Sequence, residues 1–270
     1  MLYVIDDFGS SSQSNAKIIQ LVTSSIFFNG VSCIVTNINN DAMLKQFFKL
    51  SQTYIDVGLH LTFTDFKFLI DDQQMPKNTH FLKCHINPKY KTIYKEIELQ
   101  FHKFENIFKK MPSYIDSHHH IHQSPLYAFA LTNFLRNNPK YTQSPGFYVR
   151  KSNVPIMTQF NSLIKCKEVF WKNFLLSIYS IPINFLLKKY NIPSSDALFG
   201  SYNLTDSNYN KIFHFYQNES KKTRLKKIVY FCHPGEIEDD LTYQKTCFFK
   251  KNEYIYFHEI TNNHEFKFKN

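Results

Sequence analysis

Glycine is scarce, six in 270 residues. A chain so poor in it is not built around glycine-rich loops that cradle nucleotide phosphates. Cysteine is sparse too: Cys33, Cys84, Cys166, Cys232 and Cys247 are odd in number and show no C-x-x-C spacing. That argues against a disulfide framework and predicts reduced thiols in a cytoplasmic protein. Long hydrophobic runs are missing. The greasiest stretch, 174–187, is interrupted by Ser177, Ser180, Pro182 and Asn184. It is too short and broken to span a bilayer and reads as a buried or dimer-forming helix. Asp6 and Asp7 stand where a secretory signal would carry its apolar core. No internal repeat and no low-complexity linker is present.

Acidic residues are outnumbered, 22 against 32 Lys and Arg, for a net charge of +10. The excess is spread over the chain rather than gathered in one patch. Its densest run, Lys221, Lys222, Arg224, Lys226 and Lys227, sits just before an apolar segment and reads as a solvated helix end. Neither a nucleic-acid partner nor membrane contact is expected. What the chain does have is apolar material, 43% of residues, enough for a full core.

Apolar runs bounded by polar residues predict strands at 2–5, 31–35, 54–61, 114–118, 147–150, 228–232 and 254–257. Helical periodicity marks 16–28, 41–51, 93–110, 126–136 and 209–221. Residues 65–90 read as loop, punctuated by Pro76 and Pro88, and 151–205 as a helical excursion ending near Ser195, Asp196 and Gly200. Strands and helices alternate, so the class is α/β with a mainly parallel sheet, in one domain over 1–270.

Four polar clusters each follow a predicted strand: Asp6-Asp7-Phe8-Gly9, Gly58-Leu59-His60, Asp116 through His122, and His233-Pro234-Gly235-Glu236. In a parallel α/β fold the strand C-termini share one face, so these clusters converge although far apart in sequence. A carboxylate with two imidazoles leaves open positions for water and substrate, as catalytic metal sites do. A nearby carboxylate and histidine can then move protons. Singly the clusters are weak: two acids can make a turn, His60 can be a satisfied core residue, and His233 can belong to a Pro-Gly turn. Four histidines in the five positions 118–122 are harder to explain structurally. Asp116 and His118, two apart in a strand, would share a face. A helical turn starting at His118 would bring His122 beneath it at i+4, with His119 and His120 pointing elsewhere.

With DDFG at 6–9, GLHLT at 58–62, DSHHHIH at 116–122, Arg150, the 196–200 stretch and HPGE at 233–236, the chain resembles the YdjC-like carbohydrate deacetylases. That family includes chitooligosaccharide deacetylases and hopanoid-biosynthesis relatives. The resemblance implies a distorted (β/α) TIM-like barrel that hydrolyses N-acetyl groups of amino sugars at one divalent metal ion. It implies Asp7, His60 and His118 as metal ligands, Asp6 as general base and His233 as acid or oxyanion partner. It places Arg150 and His122 on the substrate side, Arg150 orienting Asp6 and His122 lining the pocket. It also implies a homodimer, with 174–187 as a candidate contact. Two imidazoles favour Zn²⁺, and a watery site also suits Mg²⁺. The chain departs from the family in carrying Val4-Ile5 where Asn-Ala is usual, and in its apolar 151–193 stretch. The rival readings are a two-metal phosphoesterase on the same scaffold and a sugar-binding protein that has lost catalysis.

Overall fold

A computed structural model describes residues 1–24, 27–38, 41–76, 89–200, 209–235 and 244–262. Seven strands form one sheet: β1 (Leu2–Phe8), β2 (Gly30–Cys33), β3 (Asp56–Leu61), β4 (Tyr114–Ser117), β5 (Tyr148–Val149), β6 (Ala197–Gly200) and β7 (Ile228–Cys232). Their order is β5-β4-β3-β2-β1-β7-β6, and every adjacent pair is parallel. The outer strands also meet. Val149 on β5 bridges Ser194, just before β6. The Val149 N–H donates to Pro193 O at 2.9 Å and the Ser195 N–H to Val149 O at 3.0 Å. The sheet therefore curls on itself as a distorted TIM-like barrel, an α/β fold as expected.

The strand pleat sorts side chains into two layers. Outward residues such as Ile5, Val31, Leu59, Ile115 and Tyr230 join the large core beneath the helices. Inward residues Val4, Tyr114, Tyr148, Leu198, Val229 and Phe231 form a separate apolar plug. The few glycines matter here. A Cβ at Gly58 would fall inside the Tyr114 ring, and one at Gly200 inside the Phe231 ring. Large rings thus fill the barrel by facing positions without side chains. Val4, at the departure from the family pattern, belongs to this plug one inward step below Asp6. Above the plug, at the C-terminal strand ends, the inward positions turn polar: Asp6, Ser32, His60, Asp116 and Arg150.

Helices alternate with the strands: α1 (Ser12–Ser24), α2 (Asp41–Ser51), α3 (Tyr90–Phe108), α4 (Pro125–Asn137), α5 (Pro139–Thr142), α6 (Ile156–Lys165), α7 (Lys167–Tyr179), α8 (Ile181–Lys189), α9 (Tyr209–Lys222) and α10 (Gln244–Asn262). α3 shows why. Its Ile93, Ile97, Phe101, Phe104 and Phe108 recur at helical spacing and are all buried. It ends where Lys109 turns left-handed and returns its N–H to Glu105 O at 2.8 Å. Among the described residues no helix is long and apolar enough to cross a membrane.

Two expectations are corrected. The strand expected at 254–257 lies inside α10, where Phe257 packs on Phe27, Phe28 and Phe213; a short aromatic run has no periodicity that separates strand from helix. The excursion after β5 is three helices, α6 to α8, and closes with an additional strand, β6, four residues long. Pro88, residues 201–205 of the excursion and Glu236 lie outside the described residues.

Candidate active site

β1 delivers two carboxylates to one place, which a regular strand cannot do because neighbours alternate faces. The register between β1 and β2 slips between Ile5 and Phe8, and Asp7 takes a left-handed φ of 64°. Such an irregularity re-aims a side chain. Gly9 completes the turn at φ 102°, where a Cβ would collide with Ile34 O. Asp6 and Asp7 are both buried.

Asp7 sits between two imidazoles. Its Oδ1 is 2.9 Å from His118 Nδ1 and 3.4 Å from His60 Nε2. One ligand atom from each of the three residues lies within 4.8 Å of the others. A carboxylate and two imidazoles at this separation suit a divalent cation. Another grouping, Asp6, His60 and Asp116, is already neutralised by the Arg150 guanidinium between its carboxylates.

Behind the cluster runs a buried chain of charge-assisted hydrogen bonds. His60 Nδ1 donates to Asp116 Oδ1 at 2.6 Å. Asp116 Oδ2 accepts the Ser32 hydroxyl at 2.6 Å and pairs with Arg150 Nη1 at 2.9 Å. Arg150 then grips Asp6 with both terminal nitrogens, each at 2.7 Å. His233 Nε2 lies 3.9 Å from Asp6 Oδ2. Its ring is edge-on to Phe231, and its backbone N–H donates to the buried Glu253.

This network shapes the ionisation states. Burial opposes charge on His60, but Asp116, Asp7 and Asp6 outweigh it and hold the imidazole up to about 10. Burial likewise opposes the charge on Asp116, and Arg150 and His60 overcome it, keeping the carboxyl far below the usual range. His118 is also raised, because Asp7 and Asp65 outweigh its burial.

After β4 the chain enters a 3₁₀ turn, His118–Gln123, with His119 and His120 both left-handed. Each such residue costs about 1 kcal/mol or more, a strain that concentrates at functional sites. The kink means that His122 does not fall beneath His118 as a helical i+4 partner. Instead Ser117 Oγ lies 2.6 Å from His122 Nδ1, and His122 Nε2 donates to Arg150 O at 2.8 Å. A carbonyl can only accept, so Nε2 carries the proton and Nδ1 accepts from the serine. His122 and Arg150 are each 1% exposed. Neither faces an open pocket: His122 ties the turn to the end of β5, and Arg150 stands behind Asp6.

Sequence reasoning gave no role to Asp116, Ser32, Asp65 or Glu253. Asp116 could have been found, since histidine ligands commonly give their outer N–H to a carboxylate and it stands in the same motif. Asp65, which reaches His119 Nε2 at 3.1 Å and His118 Nε2 at 3.5 Å, has no signal outside the tertiary structure.

The family model described as YdjC-like protein matches residues 4–268. The chitooligosaccharide deacetylases of Yersinia pestis (strain Pestoides F) and Yersinia pseudotuberculosis (serotype O:1b, strain IP 31758) are each 30% identical to the chain over 129 residues. That match covers 44% of this chain and 49% of theirs, so it spans about half the length of these relatives. The chain also superimposes on a protein of Enterococcus faecalis V583 whose structure carries the description cellobiose-phosphate cleavage protein, with a TM-score of 0.67. There the identity is 17% over 94% of this chain and 88% of the other, a likeness in fold.

Proposed function

Since the chain belongs to the YdjC-like protein family, we propose that it is a metal-dependent hydrolase that removes the acetyl group from an N-acetylated amino sugar or oligosaccharide. The observation that carries this reading is the convergence of Asp7, His60 and His118, with Asp6 and His233 beside them. The similarity to chitooligosaccharide deacetylases supports the substrate class.

Asp7, His60 and His118 would hold one divalent cation, Zn²⁺ or Mg²⁺, whose Lewis acidity polarises the amide carbonyl and the attacking water. Asp6 is the general base. It takes a proton from water as the water oxygen adds to the acetyl carbon, and the double grip of Arg150 fixes its orientation. His233 is the general acid. It gives its proton to the amide nitrogen as the C–N bond breaks, and acetate and the free amine leave. Asp116 couples the two halves, bonding His60 on one side and Arg150 on the other.

The test is acetate release from a panel of N-acetylated sugars, diacetylchitobiose included, with Zn²⁺, Mg²⁺, Co²⁺ or Mn²⁺ added. Metal-dependent release that disappears in Asp6→Asn and in His118→Ala is expected. A folded, metal-loaded protein that releases nothing from any of them overturns the reading and favours a sugar-binding protein.

A further inference from the structure

We propose that Asp65 is a positioning residue that fixes which nitrogen His118 presents to the cation, so that the two histidine ligands use opposite nitrogens, Nε2 of His60 and Nδ1 of His118. This rests on the metal-site reading above and adds to it a residue and a tautomer.

The two imidazoles have the same arrangement in mirror form. Each has one nitrogen toward Asp7: Nε2 of His60 at 3.4 Å and Nδ1 of His118 at 2.9 Å. Each has its other nitrogen toward a second carboxylate: Nδ1 of His60 on Asp116 at 2.6 Å, Nε2 of His118 toward Asp65 Oδ2 at 3.5 Å. A histidine that binds a cation gives up its inner proton, and the neutral imidazole then has one N–H and one lone pair. An outer carboxylate that takes the N–H leaves the lone pair facing inward, which settles both tautomer and ring orientation. Asp116 does this for His60. The geometry gives Asp65 the same task for His118, on the opposite nitrogen.

Asp65 is built for a fixed position. Its side chain is 3% exposed, and its backbone is left-handed at φ 70°. The loop after β3 folds back through the bridge between Lys67 and Gln74. The Asp65 N–H donates to Pro76 O at 2.9 Å and Gln74 Nε2 to Asp65 O at 3.0 Å. From the other side, His119 Nε2 donates to the same carboxylate oxygen at 3.1 Å. The His119 ring lies against His118, centroids 3.8 Å apart. His119 thereby holds the carboxylate in place, which gives its left-handed backbone a purpose.

Asp65, His118 and His119 also satisfy the spacing of a cation site. The two possibilities differ in a measurable way. As a ligand, Asp65 would share a cation with His118 Nε2. As a positioning residue, it takes the Nε2 proton and leaves Nδ1 for the cation.

Long-range ¹H–¹⁵N correlation spectra of the full chain labelled with ¹⁵N-histidine and loaded with Zn²⁺ would show which nitrogens bind. Nδ1 coordination by His118, Nε2 coordination by His60 and one Zn²⁺ per chain are expected. By chelator competition, Asp65→Ala should weaken Zn²⁺ binding by about 10–100-fold. Asp65→Asn keeps an acceptor oxygen and should recover most of that loss. Nε2 coordination by His118, a second Zn²⁺ per chain, or wild-type affinity in Asp65→Ala would each overturn the inference while leaving a metal site standing. A wild-type chain that binds no divalent cation would overturn both.

Discussion

His122 shows how much a single side chain can hold in this protein. It is buried, donates Nε2–H to Arg150 O and accepts from Ser117 at Nδ1. Burial pushes its pKa down to about 4, against about 6.5 in an unfolded chain. Between those values the unfolded state binds the extra proton, so stability rises with pH across the window. The contribution is complete above about pH 6.5 and is lost as pH falls toward 4, amounting to about 3 kcal/mol. Urea denaturation of the metal-free protein at pH 7 and pH 4.5 would measure it. His122→Gln is expected to be less stable than wild type at pH 7, with the gap narrowing at pH 4.5. A gap that widens on acidification would refute the neutral assignment. Arg150 is the complementary case, a buried cation made tolerable by Asp6 and Asp116 together. Its guanidinium is held by Asp6 and Asp116, and only the folded chain reveals that it is buried behind Asp6.

At the scale of elements, the strands act as carriers that convert sequence distance into proximity. β1, β3, β4 and β7 each bring one cluster to the same end of the barrel, β5 brings Arg150, and Asp6 meets Arg150 across 144 residues. The plug beneath that layer sets the barrel's dimensions. Tyr114 and Tyr148 stack at 5.2 Å, and Gly58 leaves room for the Tyr114 ring. Gly58→Ala should therefore be destabilising by about 1–3 kcal/mol through overpacking, read as a lowered denaturant midpoint. Adding Tyr114→Leu should recover part of it by vacating the ring's space. If Gly58→Ala alone matched wild-type stability, the aromatic plug would not be the constraint described. The same elements explain where the reading missed detail. The four residues of β6 offer no pattern to detect, and β1 brings Asp6 and Asp7 together by an irregularity that alternation does not foresee.

Across the whole molecule, the excursion between β5 and β6 leaves apolar side chains on the surface. Ile156, Met157, Phe160 and Ile164 on α6, Trp171 and Leu175 on α7, and Phe185 on α8 are each more than half exposed. Exposed apolar side chains concentrated in one segment make it a candidate interaction site, and the family resemblance implies a homodimer. Sedimentation at micromolar concentration is expected to give a dimer that Trp171→Glu with Leu175→Glu converts to monomer. A monomeric wild type would remove the homodimer and leave this face to another partner.

Read as text, the sequence determined the class, the strand-end clusters and the residue types of the site. Hydrophobic periodicity and the order of motifs are local properties, and both survive folding unchanged. DDFG, GLH, DSHHHIH and HPG mark the strand ends where the site gathers, and the family resemblance they carry implies Asp6, Asp7, His60, His118 and His233 as its working residues. The tertiary structure alone decided what stands behind those residues. It paired His60 with Asp116 and Asp6 with Arg150, withdrew His122 into the barrel wall, and brought Asp65 to His118 over 53 residues of chain. Those relations depend on strand register, a β1 irregularity and two left-handed histidines. Each arises from contacts between distant segments, which no window of sequence contains.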